Sequence, residues 1–108
     1  MDALKLERVV RPTPAKTRRA QARVGEGLAA WRKLHGLTAR QVSERAGISP
    51  ATLSRLENGK TPVSLETFLN VARVLGQLDR VVDAVDPYET DFGRLRADQQ
   101  LPKRVRRG

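Results

Sequence analysis

Apolar residues recur along the chain at helical spacing, in short runs with sharp ends. Val24, Leu28, Trp31 and Leu34 follow at steps of four, three and three, one face of a helix that starts near Thr17. Gly25 and Gly27 weaken its early part, and His35-Gly36 stops it, because glycine takes the left-handed conformation past a helix end. Thr38 is placed to cap a second helix, with Val42 and Ala46 inward and Gly47 closing it. Ser49-Pro50 opens a third: a capping hydroxyl, then proline at the first helical position, where no hydrogen bond is lost. That helix carries Leu53 and Leu56 inward and ends at Asn58-Gly59. Ser64 caps a fourth, with Val63 and Phe68 at the two positions of a hydrophobic staple; Leu65, Leu69, Ala72 and Leu75 form its apolar face, and Gly76 ends it. Leu78, Val81, Val82 and Val85 mark a short fifth helix. Asp86-Pro87-Tyr88-Glu89 starts another, with Asp86 capping and Tyr88, Phe92 and Leu95 sharing one face, and Leu101-Pro102 stops what precedes it.

The fold class expected from this pattern is all-α. Arg11-Pro12-Thr13-Pro14 cannot lie inside a helix, since each proline removes a donor and restricts the residue before it, so residues 1–16 read as a mobile basic arm. Residues 17–76 form the helical domain, 77–86 a short helix, and 87–108 an extension with a helix and a basic end.

A chain of 108 residues has room for one domain with tails, and its modest core would gain from dimerisation. No cysteine is present, which excludes disulfides, thiolate metal sites and a cysteine nucleophile. No apolar stretch approaches a membrane span, and Met1 to Arg23 lacks the apolar centre of a secretory signal, so the expectation is a cytoplasmic protein with no membrane partner.

Charge narrows the partner. The formal net charge is +9, a balance that suits a polyanion. Residues 1–23 carry +5, residues 24–76 carry +3, residues 77–98 carry −3 and the last ten carry +4: basic arm, mildly basic domain, acidic connector, basic tail.

The segment 38–57 carries the chemistry. Two short helices meet at Ala46-Gly47-Ile48-Ser49, where glycine lets the chain reverse sharply enough for the second to cross the first. Val42, Ala46, Ile48, Leu53 and Leu56 fill the corner. Ser49, Ala51, Thr52, Ser54 and Arg55 remain outside, a short polar face without acidic groups that can enter a DNA major groove.

Gly-Leu-Thr at 36–38, Ala-Gly-Ile-Ser at 46–49 and LSRLENGKTPVSLETFLNVARVL at 53–75 resemble the XRE family, the lambda-repressor/Cro class of helix-turn-helix proteins, over about Val24 to Leu75. The resemblance implies a five-helix lambda-repressor-like domain that binds double-stranded DNA. The family often has glutamine at the start of each motif helix; here Ala39 and Pro50 stand there, which shifts base reading toward Thr52 and Arg55. Arg55 is long enough to fork onto a guanine, while a phosphate or an ion pair with Glu44 or Glu57 would occupy it otherwise. Ser49, Ala51 and Thr52 complete the base-reading set. Thr38, Arg40 and Ser54 suit phosphate oxygens, and Asn58, Lys60 and Thr61 follow the third helix, where the family's loop lies on the backbone. Glu57 is expected to be structural, holding nearby backbone or pairing with an arginine such as Arg32. Helices after the motif commonly pair two subunits in this family, which makes Leu78, Val81, Val82 and Val85 the expected homodimer interface.

Elsewhere ordinary structural roles suffice. Trp31 belongs to an apolar stripe, His35 stands at a helix C-terminus, and Asp79 and Asp83 form a solvated face. No phosphate loop and no Ser-His-Asp set can be assembled, so no enzyme, cofactor or metal is expected. Three functions remain. The first is a homodimeric transcriptional regulator, repressor or autoregulator, on a palindromic operator. The second is the DNA-binding antitoxin of a type II toxin–antitoxin pair, because XRE domains with short extensions resemble the antitoxins of HipA-type kinase toxins, with residues 86–108 as the toxin contact. The third is a charge-driven nucleic-acid chaperone.

Overall fold

Four glycines at which the pattern breaks, Gly36, Gly47, Gly59 and Gly76, all have φ between 67 and 74°. Each lies just past the end of a helix, where an L side chain would meet the following carbonyl. The computed structural model describes residues 11–100; the first ten residues, the Leu101-Pro102 stop and the basic end after it lie outside that range. Helix α1 is Ala15–Leu34, α2 Ala39–Ala46, α3 Pro50–Asn58, α4 Leu65–Val74, α5 Leu78–Ala84 and α6 Asp91–Gln100, with a 3-10 turn at Pro87–Glu89 between the last two. The described residues are all-helical, without strands.

Hydroxyl caps open the three central helices. Thr38 Oγ1 accepts from the Gln41 amide while Gln41 Oε1 accepts from the Thr38 amide, a complete capping box. Ser49 and Ser64 cap α3 and α4 through the amides of Thr52 and Thr67.

The core is a single cluster of Leu28, Val42, Ala46, Leu53, Leu56, Val71 and Leu75, with Trp31, Ile48, Val63 and Phe68 packed around it. Helix α1 lies on α3, α2 crosses α3, and α4 closes over α2. Val42, Leu53 and Val71 are completely buried.

Four sequence expectations change. Helix α1 begins at Ala15, so the end of the expected arm is helical. Only part of the expected stripe faces inward: Leu28 is buried and Trp31 packs on the core, but Val24 and Leu34 are exposed and Gly25 takes an inward place. The cause is a backbone contact, since a Cβ on Gly25 would stand 2.5 Å from the carbonyl oxygens of Leu56 and Glu57. In α4, Leu65 is exposed and Val71 takes an inward place, because the buried side of the helix and its cap is Val71, Ala72 and Leu75.

The fourth change concerns the extension. Asp86 caps only the 3-10 turn, through the Tyr88 amide. Helix α6 starts afresh at Thr90, whose Oγ1 accepts from the Gly93 amide and donates to the Pro87 carbonyl, both at 2.9 Å. Gly93 lets α6 sit directly on Pro87, and Gly93 and Ala97 are its buried residues; Tyr88, Phe92 and Leu95 are exposed.

Candidate nucleic-acid interface

The outward face of α3 is organised around the Thr52 hydroxyl. Ser49 Oγ donates to Thr52 Oγ1 at 3.0 Å and Arg55 Nη2 donates to the same oxygen at 3.2 Å. With both lone pairs of that oxygen engaged, the Thr52 proton is left to donate outward. Ser49, Ala51 and Arg55 are exposed and Thr52 is half-buried, so the four expected base-reading residues share one accessible patch at the start of the helix.

Both carboxylates that could have neutralised Arg55 are held elsewhere. Glu44 pairs with Arg40, Nε to Oε2 at 3.3 Å, on the exposed surface of α2. Glu57 is clamped by Arg32 of α1, whose Nε and Nη2 donate to Oε2 and Oε1 at 2.8 and 3.0 Å. Arg32 Nη1 also donates to the Leu37 carbonyl at 3.2 Å, which ties the α1–α2 turn to the same pair. The hydrogen-bonded Glu57 carboxylate raises the pKa of Arg32 above its ordinary value, against the opposing effect of burial. Arg55 is therefore paired with neither carboxylate, and an ion pair between it and an acidic neighbour is absent among the described residues.

The expected phosphate-contacting residues fall in two groups beside α3. Thr38 and Arg40 lie at the start of α2, with the Thr38 hydroxyl oxygen used in its capping box and the Arg40 guanidinium shared with Glu44. Ser54 lies midway along α3 and Asn58, Lys60 and Thr61 at its far end and beyond it, all exposed, with Asn58 Nδ2 donating to Ser54 Oγ at 3.4 Å.

The anchoring of that second group was not apparent in the sequence. Gln21 of α1 donates through Nε2 to the Thr61 carbonyl at 3.2 Å, and Gly59 approaches α1 so closely that a Cβ there would stand 2.6 Å from Ala22 Cα. Gly25 and Gly59 thus serve as paired contact points between α1 and the end of α3; small residues three apart at Ala22 and Gly25 were the only available signal. Val24, exposed beside this junction, lines an open groove of about 320 Å³ with Leu56, Pro62 and Phe68.

Of the four expected interface residues beyond the motif, Val82 and Val85 of the α5 segment are exposed and Leu78 and Val81 are half-buried against their own domain. Trp31 is half-buried against the core, stacks on His35 with ring centroids 5.9 Å apart, and has the Arg80 guanidinium 5.9 Å above it. His35 Nε2 is 2.9 Å from the Leu75 carbonyl, which links the ends of α1 and α4. Asp79 and Asp83 are exposed, and in the acidic connector the carboxylate oxygens of Asp83, Asp86 and Glu89 lie within 4.8 Å of one another, with Asp86 half-buried.

A short α2, a tight left-handed turn at Gly47 and an α3 that offers an acid-free polar face define a helix-turn-helix DNA-binding domain. Residues 28–80, just under half the chain, match the family described as Helix-turn-helix, so this segment is a helix-turn-helix domain of the Cro/C1, or XRE, type, in keeping with the lambda-repressor-like all-α fold. No curated protein and no solved structure gives a significant match. No helix among the described residues is long and apolar enough to cross a membrane.

Proposed function

We propose that this protein is a sequence-specific transcriptional regulator, a repressor or autoregulator, that binds a palindromic operator as a homodimer. One observation carries the reading: Arg55 stands exposed on the outer face of α3 while Glu44 and Glu57 are each engaged by another arginine. A guanidinium spared in this way can fork onto O6 and N7 of a guanine, with Thr52 donating to a neighbouring base edge and the Ala51 methyl against a thymine. Ser49 orients Thr52. Thr38, Arg40, Ser54, Asn58, Lys60 and Thr61 hold the phosphates on either side and set the register.

Val82 and Val85, exposed on the segment after the core, are the centre of the dimer contact, with Leu78 and Val81 beneath them. Two-fold pairing places half-sites about one helical turn apart. The setting is the cytoplasm, with the protein on the nucleoid when bound.

The test is selection of bound sites from random duplexes by the wild type and by Arg55→Ala. Loss of preference at one base pair per half-site, about 1–3 kcal/mol, supports direct reading; uniform weakening across all sequences overturns it.

A second reading is favoured by α6, where Phe92 and Leu95 are exposed on a helix whose main support is its own 3-10 turn. That face suits a protein partner, as in a DNA-binding antitoxin whose toxin is a HipA-type kinase. Co-purification with the product of a neighbouring kinase-like gene, abolished by Phe92→Asp, supports this reading; failure to bind or neutralise such a product removes it.

A further inference from the structure

Helix α1 is longer than the domain it serves. It begins at Ala15, whereas the family match begins at residue 28, so thirteen residues of continuous helix, about 20 Å at 1.5 Å per residue, precede the common domain. This part carries Lys16, Arg18, Arg19 and Arg23, all exposed, and no acidic residue occurs between Arg11 and Gly25.

Its position relative to α3 is set by contacts without slack. Gly25 meets the Leu56 and Glu57 carbonyls and Gly59 meets Ala22, in each case so closely that a Cβ would clash. Gln21 holds the Thr61 carbonyl at 3.2 Å. The loop with Lys60 and Thr61 is therefore fastened to the middle of α1. Arg18, Gln21, Ala22 and Gly25 follow the i, i+3, i+4, i+7 spacing of one helix face, which puts Arg18 one turn before that junction on the side of the loop. Arg18 also donates to the Thr13 carbonyl, one of its five N–H groups, which steadies the side chain along the helix start. Lys16 stands about 160° around the helix from Arg18.

We infer that the N-terminal half of α1 is a second phosphate-binding element, in which Arg18 contacts the DNA backbone next to the phosphates held by Lys60 and Thr61 and extends the footprint beyond the half-site. The inference rests on the DNA-binding reading above. Its occupant is duplex backbone because the face is cationic, free of carboxylates and rigidly joined to the loop that flanks the recognition helix. Being helical and fixed, this element contacts phosphates at one distance from the half-site, which a mobile arm would not do.

The test uses the full chain and a duplex chosen by the wild type in the site selection. Binding is measured over a salt series for the wild type, Arg18→Gln and Lys16→Gln, with thermal melts to establish that these exposed substitutions leave the fold intact. Arg18→Gln is expected to reduce the slope of log K against log salt by about one, to weaken matched and mismatched duplexes equally, and to remove ethylation interference at a phosphate outside the half-site; Lys16→Gln keeps the wild-type slope. An unchanged slope for Arg18→Gln, or equal losses from both variants, overturns the inference. Arg55→Ala separates the two readings: if it weakens all sequences alike while Arg18→Gln lowers the slope, base reading by Arg55 fails and the α1 contact stands. A wild type that binds no duplex overturns both.

Discussion

Arg32 and Glu57, 25 residues apart in the chain, form a two-pronged ion pair with N–O distances of 2.8 and 3.0 Å and side chains only 15% and 14% exposed. The pair joins the long first helix to the end of the recognition helix and withdraws a carboxylate from the vicinity of Arg55. Its geometry is the fork-on-fork match that makes arginine, not lysine, suit such a site.

Removing one partner leaves the other largely desolvated and unpaired. Arg32→Ala and Glu57→Ala are each expected to cost about 2–4 kcal/mol in urea unfolding, somewhat below a fully buried pair because water still reaches the rim. The raised pKa of Arg32 has a definite sign. The stabilisation it reports is fully present below the unfolded-state pKa and is lost only as pH rises through the still higher folded value. Deprotonation of Arg32 therefore contributes no slope to stability between pH 6 and 9, and a slope that Arg32→Ala abolished in that window would contradict this.

Gly25 and Gly27 should respond oppositely to alanine. A Cβ at Gly25 would stand 2.5 Å from two backbone oxygens, so Gly25→Ala must push α1 away from α3, at about 2–3 kcal/mol. Gly27 has nothing within 4 Å of the corresponding position, so Gly27→Ala should stabilise by about 0.5–1 kcal/mol through helix propensity alone. Thermal melts of the two variants, which shift in opposite directions, check the packing of α1 without any DNA.

Leu53 is completely buried where α3 meets the core, one residue from the outward-facing Thr52. Leu53→Ala is expected to cost about 2–5 kcal/mol and to weaken DNA binding only in proportion to the unfolded fraction. Ser49→Ala should act more on function than on stability: about 1 kcal/mol for the cap, with a further loss of base discrimination because Thr52 is no longer oriented. Urea titration beside binding to matched and mismatched duplexes separates the two effects.

Val82→Asp with Val85→Asp tests the proposed dimer. Both side chains are exposed in the single chain, so the double variant should fold with an unchanged melt at low concentration, sediment as a monomer, and lose most of its affinity for a two-half-site operator. A wild type that sediments as a monomer at tens of micromolar would remove the interface.

Much of the candidate site was legible because its construction is local. Thr38 and Ser49 cap helices whose amides lie three residues away, and the Gly47 turn needs only a residue tolerant of positive φ. The same holds for the inward set Val42, Ala46, Leu53 and Leu56, since a short helix between two firm stops has one apolar side. The sequence left Arg55 open between base, phosphate and a neighbouring carboxylate. It could not choose because Arg32, Arg40 and Arg55 all lie within plausible reach of Glu44 or Glu57 until the fold sets the distances.

By itself, then, the sequence determined the helices of the domain, the hydroxyl caps of α2, α3 and α4, the glycine stops, the helix-turn-helix and the polar face of its third helix, all of them set by interactions between residues a few positions apart. Tertiary structure decided which way α1 and α4 turn their faces, which arginine takes Glu57, and how the loop after α3 is held. Those outcomes rest on contacts such as Gln21 with Thr61 and His35 with Leu75, each 40 residues apart, and on the Gly25 and Gly59 approaches to neighbouring backbone. The physical reason is that local hydrogen-bonding geometry is encoded by residue type in sequence order, whereas the rotation of one helix on another is settled by which surfaces can come close enough to exclude water.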